Sequence, residues 1–593
     1  MLADEVVVGG AGNDLADRSS VCRVFQYLGG NCRNALDELR SFQLADRRSH
    51  ATLALDRTRS DSGQDGSSSG NQGEKNNLFH GILQKNFLAV LRGGIVIMHC
   101  SISVNVIPIR YFYAKVVLML EKRAKYITTT LPYVNDQPHI GHALEFVQAD
   151  TLARYYRLMG HEVFLNTGTD EHGQKIAQKA DAEGRDRQEY VDHFASTFNE
   201  LKDKLNLSYD AFIRTSSPEH KKAAQEIWRR CDAKGDIYKK SYTGLYCVGC
   251  ELFYKKEELD EKGCCLIHKN QVEEVEEENY FFRLSKYQDA LIDYLSDETR
   301  TLPNWQRQWA LEFVKGGLED LSISRQKSRM DWGVEVPGDD GHVMYVWFDA
   351  LTSYISTLGW PKEEGDFKKF WIDGETLQLA GKDQVRFQSI IWQAMLMSAE
   401  LPTTDTIFYH GFINSGGQKM SKSLGNVISP YEMVARYGTD ATRYILLRHV
   451  HPFDDSDLTW EKMDEVYTAN LVNGLGNLVA RVMKMAESHL EIKQFIMPAS
   501  GDFEGPKDFE FQKTMDHVWF HIQKLDETIT LTEPFKLVKT EPEKAKEIIA
   551  SLRDSVFTIS VLLKPFMPRI ADVIATAVQK NEKPDNLFPR LEA

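Results

Sequence analysis

From residue 125 onward the apolar positions fall into short β-like runs and longer helical stripes. Tyr126-Ile127-Thr128-Thr129-Thr130 is aromatic and β-branched, which predicts a strand. Pro132, Asn135, Asp136 and Pro138 then break the pattern into a loop. Ala143 to Leu158 carries Leu144, Val147, Leu152 and Tyr155 at helical spacing and stops before Gly160. Glu162-Val163-Phe164-Leu165 predicts a second strand. Strand, loop, helix, strand is the opening of a βαβ unit, and it predicts a parallel sheet with ligand at the carboxyl ends of its strands. Beyond Pro430 the spacing turns helical almost to the end. Val466 to Ala486 and Ile548 to Leu563 have apolar residues three and four apart, which predicts an all-α C-terminal bundle.

The first 122 residues lack this order. Ser60 to Asn77 is a polar Gly/Ser-rich run that buries no core and reads as disordered. Gly93 to Ile109 is uncharged but short and interrupted by His99, Asn105 and Pro108, so a membrane span is not predicted. Met1 is not followed by an apolar signal region, and Asp4, Glu5, Asp14, Asp17 and Glu38 argue against an organellar transit peptide. Residues 1–122 are expected to be a poorly ordered or atypical extension.

Composition narrows the class. With 593 residues, 42% hydrophobic and 26% charged, the chain reads as a soluble globular protein of several domains. Its net charge of -15 excludes a basic nucleic-acid coat but not a local basic face. Eight cysteines are too few for a disulfide scaffold, and four of them lie between Cys247 and Cys265. That distribution fits metal binding in a reducing compartment. Cys247-x2-Cys250 followed by Cys265-x2-His268 is a credible tetrahedral Zn²⁺ set. Cys264 competes with Cys265, which has the tighter spacing to His268. Four filled positions make a structural site; the alternative is a set of buried free thiols.

Two motifs carry the chemistry. His139-Ile140-Gly141-His142 stands where a loop enters a helix, a place that favours anions. Its imidazoles can donate to phosphate oxygens, and Gly141 lets a flat base approach the backbone. Far downstream, Lys419-Met420-Ser421-Lys422-Ser423 puts two lysines on a loop between Gly416-Gly417 and Gly425. Such a flexible loop can close over a triphosphate and stabilise departing pyrophosphate. Taken singly, the motifs read as capping histidines and a solvated basic turn; the ordered pair points to ATP. A carboxylate substrate, ionised at neutral pH, would attack the α-phosphorus without a strong general base. Catalysis is then positioning and electrostatics, assisted by Mg²⁺. Accordingly, no Ser-His-Asp or Cys-His constellation is evident.

The ordered pair resembles the HIGH and KMSKS signatures of class I aminoacyl-tRNA synthetases, and the surrounding segments resemble the methionyl family from about Lys125 to the C-terminus. The resemblance implies a Rossmann-like parallel-sheet catalytic domain split by a zinc-knuckle insertion and followed by an all-α anticodon-binding bundle. The expected boundaries are 123–235 and 318–430 for the two catalytic halves, 236–317 for the insertion and 431–593 for the bundle. It implies catalytic His139, His142, Lys419 and Lys422, with Gly141 also in the ATP site. Leu131-Pro132-Tyr133, Gly168 to Gly173 and Tyr345 to Leu351 match methionine-pocket segments. By that likeness Asp170 holds the substrate ammonium, and Leu131, Tyr133, Trp347, Ala350 and Tyr354 form walls, where aromatic faces suit a thioether.

Gly381 to Gln388 resembles the family's GKDILRFH but places Gln384 and Gln388 at its apolar and histidine positions. One helical turn apart, the two amides are expected to share a face and could pair with each other or replace the imidazole contact. Asn477 and Arg481 match anticodon-reading residues, and Phe535 stands where the family has a stacking Trp. The implied partners are L-methionine and tRNA(Met), in a cytoplasmic monomer without membrane attachment. A leucyl-, isoleucyl- or valyl-type synthetase would need a much longer editing insertion than 236–317. A non-catalytic tRNA-binding paralogue is the other alternative, and the intact His and Lys pairs argue against it.

Overall fold

The computed structural model describes residues 6–9, 85–91, 94–100 and 123–591, apart from 249–251, 267–268, 421–424, 493–504 and 507. It divides into two units, Met1–Glu121 and Lys122–Ala593. In the first, Val6–Gly9, Lys85–Leu91 and Gly94–Cys100 form an antiparallel sheet with Gly94–Cys100 in the middle. The Gly/Ser-rich run lies outside the described residues. Among the described residues no helix is long and apolar enough to cross a membrane.

The second unit is built on six strands: β1 Lys125–Thr129, β2 Val163–Thr169, β3 Ala211–Arg214, β4 Thr301–Leu302, β5 Glu375–Gly381 and β6 Thr406–His410. They lie in the order β4-β6-β5-β1-β2-β3, and every neighbouring pair is parallel. Side chains alternate across the sheet. Ile127, Leu379 and Phe408 join one core, while Tyr126, Ala380, Ile407 and Tyr409 join the other. Both faces are therefore covered, as a parallel sheet requires.

The first face is covered by helix α1, Ile140–Leu158, and by C-terminal helices. The second is covered by α2, Pro218–Ala233, and by the chain around Tyr345–Leu358. Between β3 and β5 an antiparallel sheet intervenes, pairing Ile237–Cys247 with Glu273–Phe282 and with Leu252–Tyr254.

The C-terminal region contains α3 Thr439–Arg448, α4 Asn477–His489, α5 Phe511–Thr532, α6 Pro542–Leu563 and α7 Pro568–Lys580. The stripe at Val466–Ala486 is not one α-helix, because Tyr467–Gly476 runs as a π-helix before α4. Arg443 of α3, fully buried, ties this region to α1. Its guanidinium lies 2.7 Å from Asp150 of α1 and donates to the carbonyls of Phe566 at 2.8 Å and Pro565 at 3.0 Å. A buried charge is tolerated only with such complete pairing.

Candidate active site

The strand order reverses between β1 and β5, and their carboxyl ends open into a cavity of about 820 Å³. This is the crevice where open parallel sheets bind ligands. Thr130 to Tyr133 enter from β1, Asp170 from β2, Gly381 to Phe387 from β5 and His410 from β6.

His139 is the N-cap of α1. Its Nδ1 accepts from the Gly141 N–H at 3.1 Å, and the His142 Nδ1 accepts from the His139 N–H at 3.2 Å. The two rings stack with centroids 3.7 Å apart. Burial lowers the His139 pKa to about 4, with Asp136 opposing and Lys419 assisting. Burial also holds His142 well below the ordinary imidazole range, helped by His139 and His410. Both rings are neutral at pH 7, and an accepting Nδ1 leaves each proton on Nε2.

This corrects the expectation of free backbone donors at the helix start. The Ile140 N–H is taken by the Ile428 carbonyl at 3.1 Å, and the Gly141 N–H by His139. The available donors are the two Nε2–H groups. Gly141 also has a nearer reason for lacking a side chain. A Cβ there would stand 2.9 Å from the His139 ring.

Glu145 and His410, overlooked in the sequence, sit beside the histidines. The Glu145 carboxylate accepts from the Thr130 N–H at 2.6 Å and faces the His410 Nε2 at 2.9 Å, while the His410 Nδ1 donates to the Gly411 carbonyl at 2.8 Å. Burial disfavours a charged His410, but its hydrogen bond and ion pair with Glu145 raise its pKa above the usual value. A glutamate three residues after His142, on the apolar stripe of a helix, was the available signal; nothing local marked His410.

Lys419 stands on a hairpin. Ile413–Ser415 pairs with Gln418–Lys419 around Gly416 and Gly417, both at positive φ (64° and 73°). Two such residues make a tight hairpin turn ahead of the lysine loop. The carboxylate of Asp457 holds the Gly417 N–H at 2.6 Å. Lys419 Nζ lies 5.5 Å from the Phe412 ring centroid and borders the same cavity as His139 and His142. Lys422 lies outside the described residues.

The amino-acid side is more dispersed. Leu131 and Tyr133 line the cavity with buried Asp170. Trp347 lines it as well, stacked on Phe387 at 3.9 Å and 14°. Phe387, inside the Gly381–Gln388 segment, was not singled out. Ala350 and Tyr354 are buried and are absent from the cavity wall. Gln384 lines the cavity, whereas Gln388 is fully buried behind it. There the Gln388 amide donates to the Tyr354 Oη at 2.8 Å and the Thr130 Oγ1 at 3.1 Å. The two glutamines do not pair, because both Oε1 atoms are buried without partners. Lys382–Gln384 is a 3₁₀ turn and Arg386–Ile391 a π-helix, so the α-helical spacing that would align them is missing.

Behind this wall Asp349 bridges two buried histidines. Its carboxylate lies 2.7 Å from the His172 Nδ1 and 2.7 Å from the His220 Nε2. Burial opposes its charge, but attraction and hydrogen bonding from His172 and His220 lower the Asp349 pKa to about 2. The bridge joins the segment of Asp170 to that of Trp347.

The model of tRNA synthetases class I (M) matches residues 125–265 and 256–483. The chain belongs to the class I (M) tRNA synthetases. It is 40% identical to the methionine–tRNA ligase of Brucella suis, over 79% of this chain and 95% of the relative. It is 37% identical to that of Fusobacterium nucleatum, over 79% and 76% respectively. The solved methionyl-tRNA synthetase of Mycobacterium tuberculosis, in complex with methionyl-adenylate, superposes with a TM-score of 0.72 at 34% identity, covering 79% of this chain and 98% of that one.

Within this synthetase frame, the remaining predicted residues lie away from the cavity. Cys247 and Cys265 are buried and in no disulfide, while Cys264 is only half-buried, which favours Cys265 as the inward member of the pair. Cys250 and His268 lie outside the described residues. Asn477 is exposed on α4, and Arg481 pairs with Asp526 of α5 at 2.9 Å. Phe535 is 48% exposed on the short helix after α5, with Lys536 over its ring.

Proposed function

We propose that this protein activates L-methionine with ATP and transfers it to tRNA(Met). The methionine carboxylate attacks the α-phosphorus in line. One P–O bond forms and the bond to the departing pyrophosphate breaks, giving methionyl-adenylate. A ribose hydroxyl at the tRNA end then attacks the acyl carbon, loses its proton and releases AMP. The observation that carries this reading is the pair of stacked neutral imidazoles at the head of α1, bordering one cavity with Lys419.

In this scheme the Nε2–H groups of His139 and His142 donate to phosphate oxygens, and the Lys419 and Lys422 ammonium groups offset charge on the leaving pyrophosphate. Asp170 holds the substrate ammonium, Trp347 packs the thioether with Tyr133 and Leu131, and Gln384 supplies a polar wall. Gln388, Tyr354 and Ala350 act from behind, fixing the shape of that wall. ATP would bring Mg²⁺, to which we assign no protein ligand.

Cys247 and Cys265 fit a thiolate pair for structural Zn²⁺, with Cys250 and His268 completing the set. The metal would hold the insertion together and take no part in the reaction. Asn477, Arg481 and Phe535 would read and stack the anticodon. Described cysteines that form no disulfide support a cytoplasmic setting, and we read the protein as a monomer.

The test is aminoacylation of tRNA(Met) transcripts by the purified full chain. Charging with methionine that fails when the anticodon is changed supports the reading. Charging that is insensitive to the anticodon contradicts the roles of Asn477, Arg481 and Phe535. No charging contradicts the function itself.

A further inference from the structure

We infer that the helix Asn304–Lys315 presents an aromatic platform on which the unpaired 3′ end of the tRNA stacks as it enters the cavity; this rests on the ligase reading above. Trp305 and Trp309, 50% and 49% exposed, stand four residues apart and share a helix face. Trp309 lies parallel to Phe313, with centroids 5.3 Å apart and 18° between the planes, and the Arg386 guanidinium caps Phe313 at 5.1 Å. The ladder of Arg386, Phe313 and Trp309 lines the cavity that contains His139 and Lys419. Isolated exposed apolar residues mean little. Trp309, half-exposed and lining the reaction cavity, offers its ring to a flat ligand, while Trp305 beside it packs edge-on against Phe453 at 5.9 Å.

The occupant follows from the reaction. Its second step needs a polynucleotide end inside this cavity, and an end that enters must be unpaired. Unpaired bases expose π-faces, which stack on Trp and Phe without regard to sequence. Charge argues against recognition led by phosphates. The chain carries a net charge of -15, and three cations around this face are already paired: Lys315 with Glu312 at 3.0 Å, Lys382 with Asp455 at 2.7 Å and Arg386 with Glu258 at 3.7 Å. Stacking is the interaction this surface has available.

The experiment compares wild type with Trp309→Ala, Trp309→Phe and Trp305→Ala in the full chain. The expected result is unchanged methionine-dependent ATP–pyrophosphate exchange in all four, because the platform acts only on tRNA. For tRNA charging, Trp309→Ala should lower kcat/KM about tenfold, the order of one lost base–aromatic stack, and Trp309→Phe should restore most of it. A short single-stranded oligoribonucleotide ending in CCA should quench the tryptophan fluorescence of wild type more than that of Trp309→Phe. Unchanged charging by Trp309→Ala overturns the proposal, and so does a parallel loss of exchange, which would put Trp309 in the first step. A change in sedimentation on Trp309→Ala would assign the face to a second copy of the chain and also overturns it. No exchange in wild type would instead refute the ligase reading itself.

Discussion

The two sides of the cavity are built differently. On the nucleotide side, His139, Gly141 and His142 are arranged largely within one turn by two backbone hydrogen bonds, a ring stack and the close approach over Gly141, with Phe198 edge-on to His142 at 5.1 Å. On the amino-acid side, each wall residue is fixed by distant chain. Gln388 is held by Thr130 and Tyr354, and Asp349 links His172 to His220. A locally determined site tolerates change elsewhere in the protein. A site assembled from five segments is sensitive to substitutions that never touch the substrate.

The largest expected effect is on the local side. His142→Ala removes a donor to the developing phosphate charge and unmakes the reciprocal cap with His139. Exchange should fall roughly 100- to 1000-fold. A loss of less than about tenfold, measured at saturating ATP, would show that the ring does not face the reaction.

Next is Glu145→Gln, which removes the carboxylate that faces the buried His410 Nε2 and raises its pKa. Breaking a buried ion pair costs on the order of 3 kcal/mol of stability, to be read from denaturant unfolding. Glu145→Gln paired with His410→Gln should recover part of that loss. An unrecovered loss would mean that the two residues act separately.

On the dispersed side, Gln388→Ala opens a cavity and unpairs the Tyr354 Oη without touching ATP. The methionine KM should rise about tenfold, in line with one lost buried hydrogen bond, and the ATP KM should hold. Equal changes in both would erase the distinction between the two sides.

The smallest expected effect is an absence. Because His139 is held near pKa 4 and His142 well below the ordinary range, the kcat/KM for ATP should show no inflection from either ring between about pH 5 and 8. Stability should respond instead. The unfolded histidine takes up its proton near pH 6.5 and the folded one only near 4, so this residue destabilises the fold progressively across that window as pH falls. An activity inflection near pH 6.5 would mean that a histidine titrates in the free site.

The contrast also explains what the sequence disclosed. The strand at Tyr126, the helix after His139 and the two motifs follow from period and spacing, which are local properties. The reversal of strand order depends on the pairing of β1 with β5, and the Glu145–His410 pair on contact between α1 and the end of β6; no spacing rule reaches that far. Gln384 and Gln388 were visible as departures, but α-helical geometry was assumed where 3₁₀ and π turns occur. Ala350 and Tyr354 belong to the right segment yet lie behind the wall, which this segment supplies through Val346 and Trp347.

The most direct test of the central claim is ATP–pyrophosphate exchange by the purified, zinc-replete chain with methionine, run beside leucine, isoleucine, valine and cysteine. Exchange with methionine well above the other four is predicted. No exchange with methionine, or preference for another of the set, would contradict the account and make Gln384 and Gln388 the first residues to revisit.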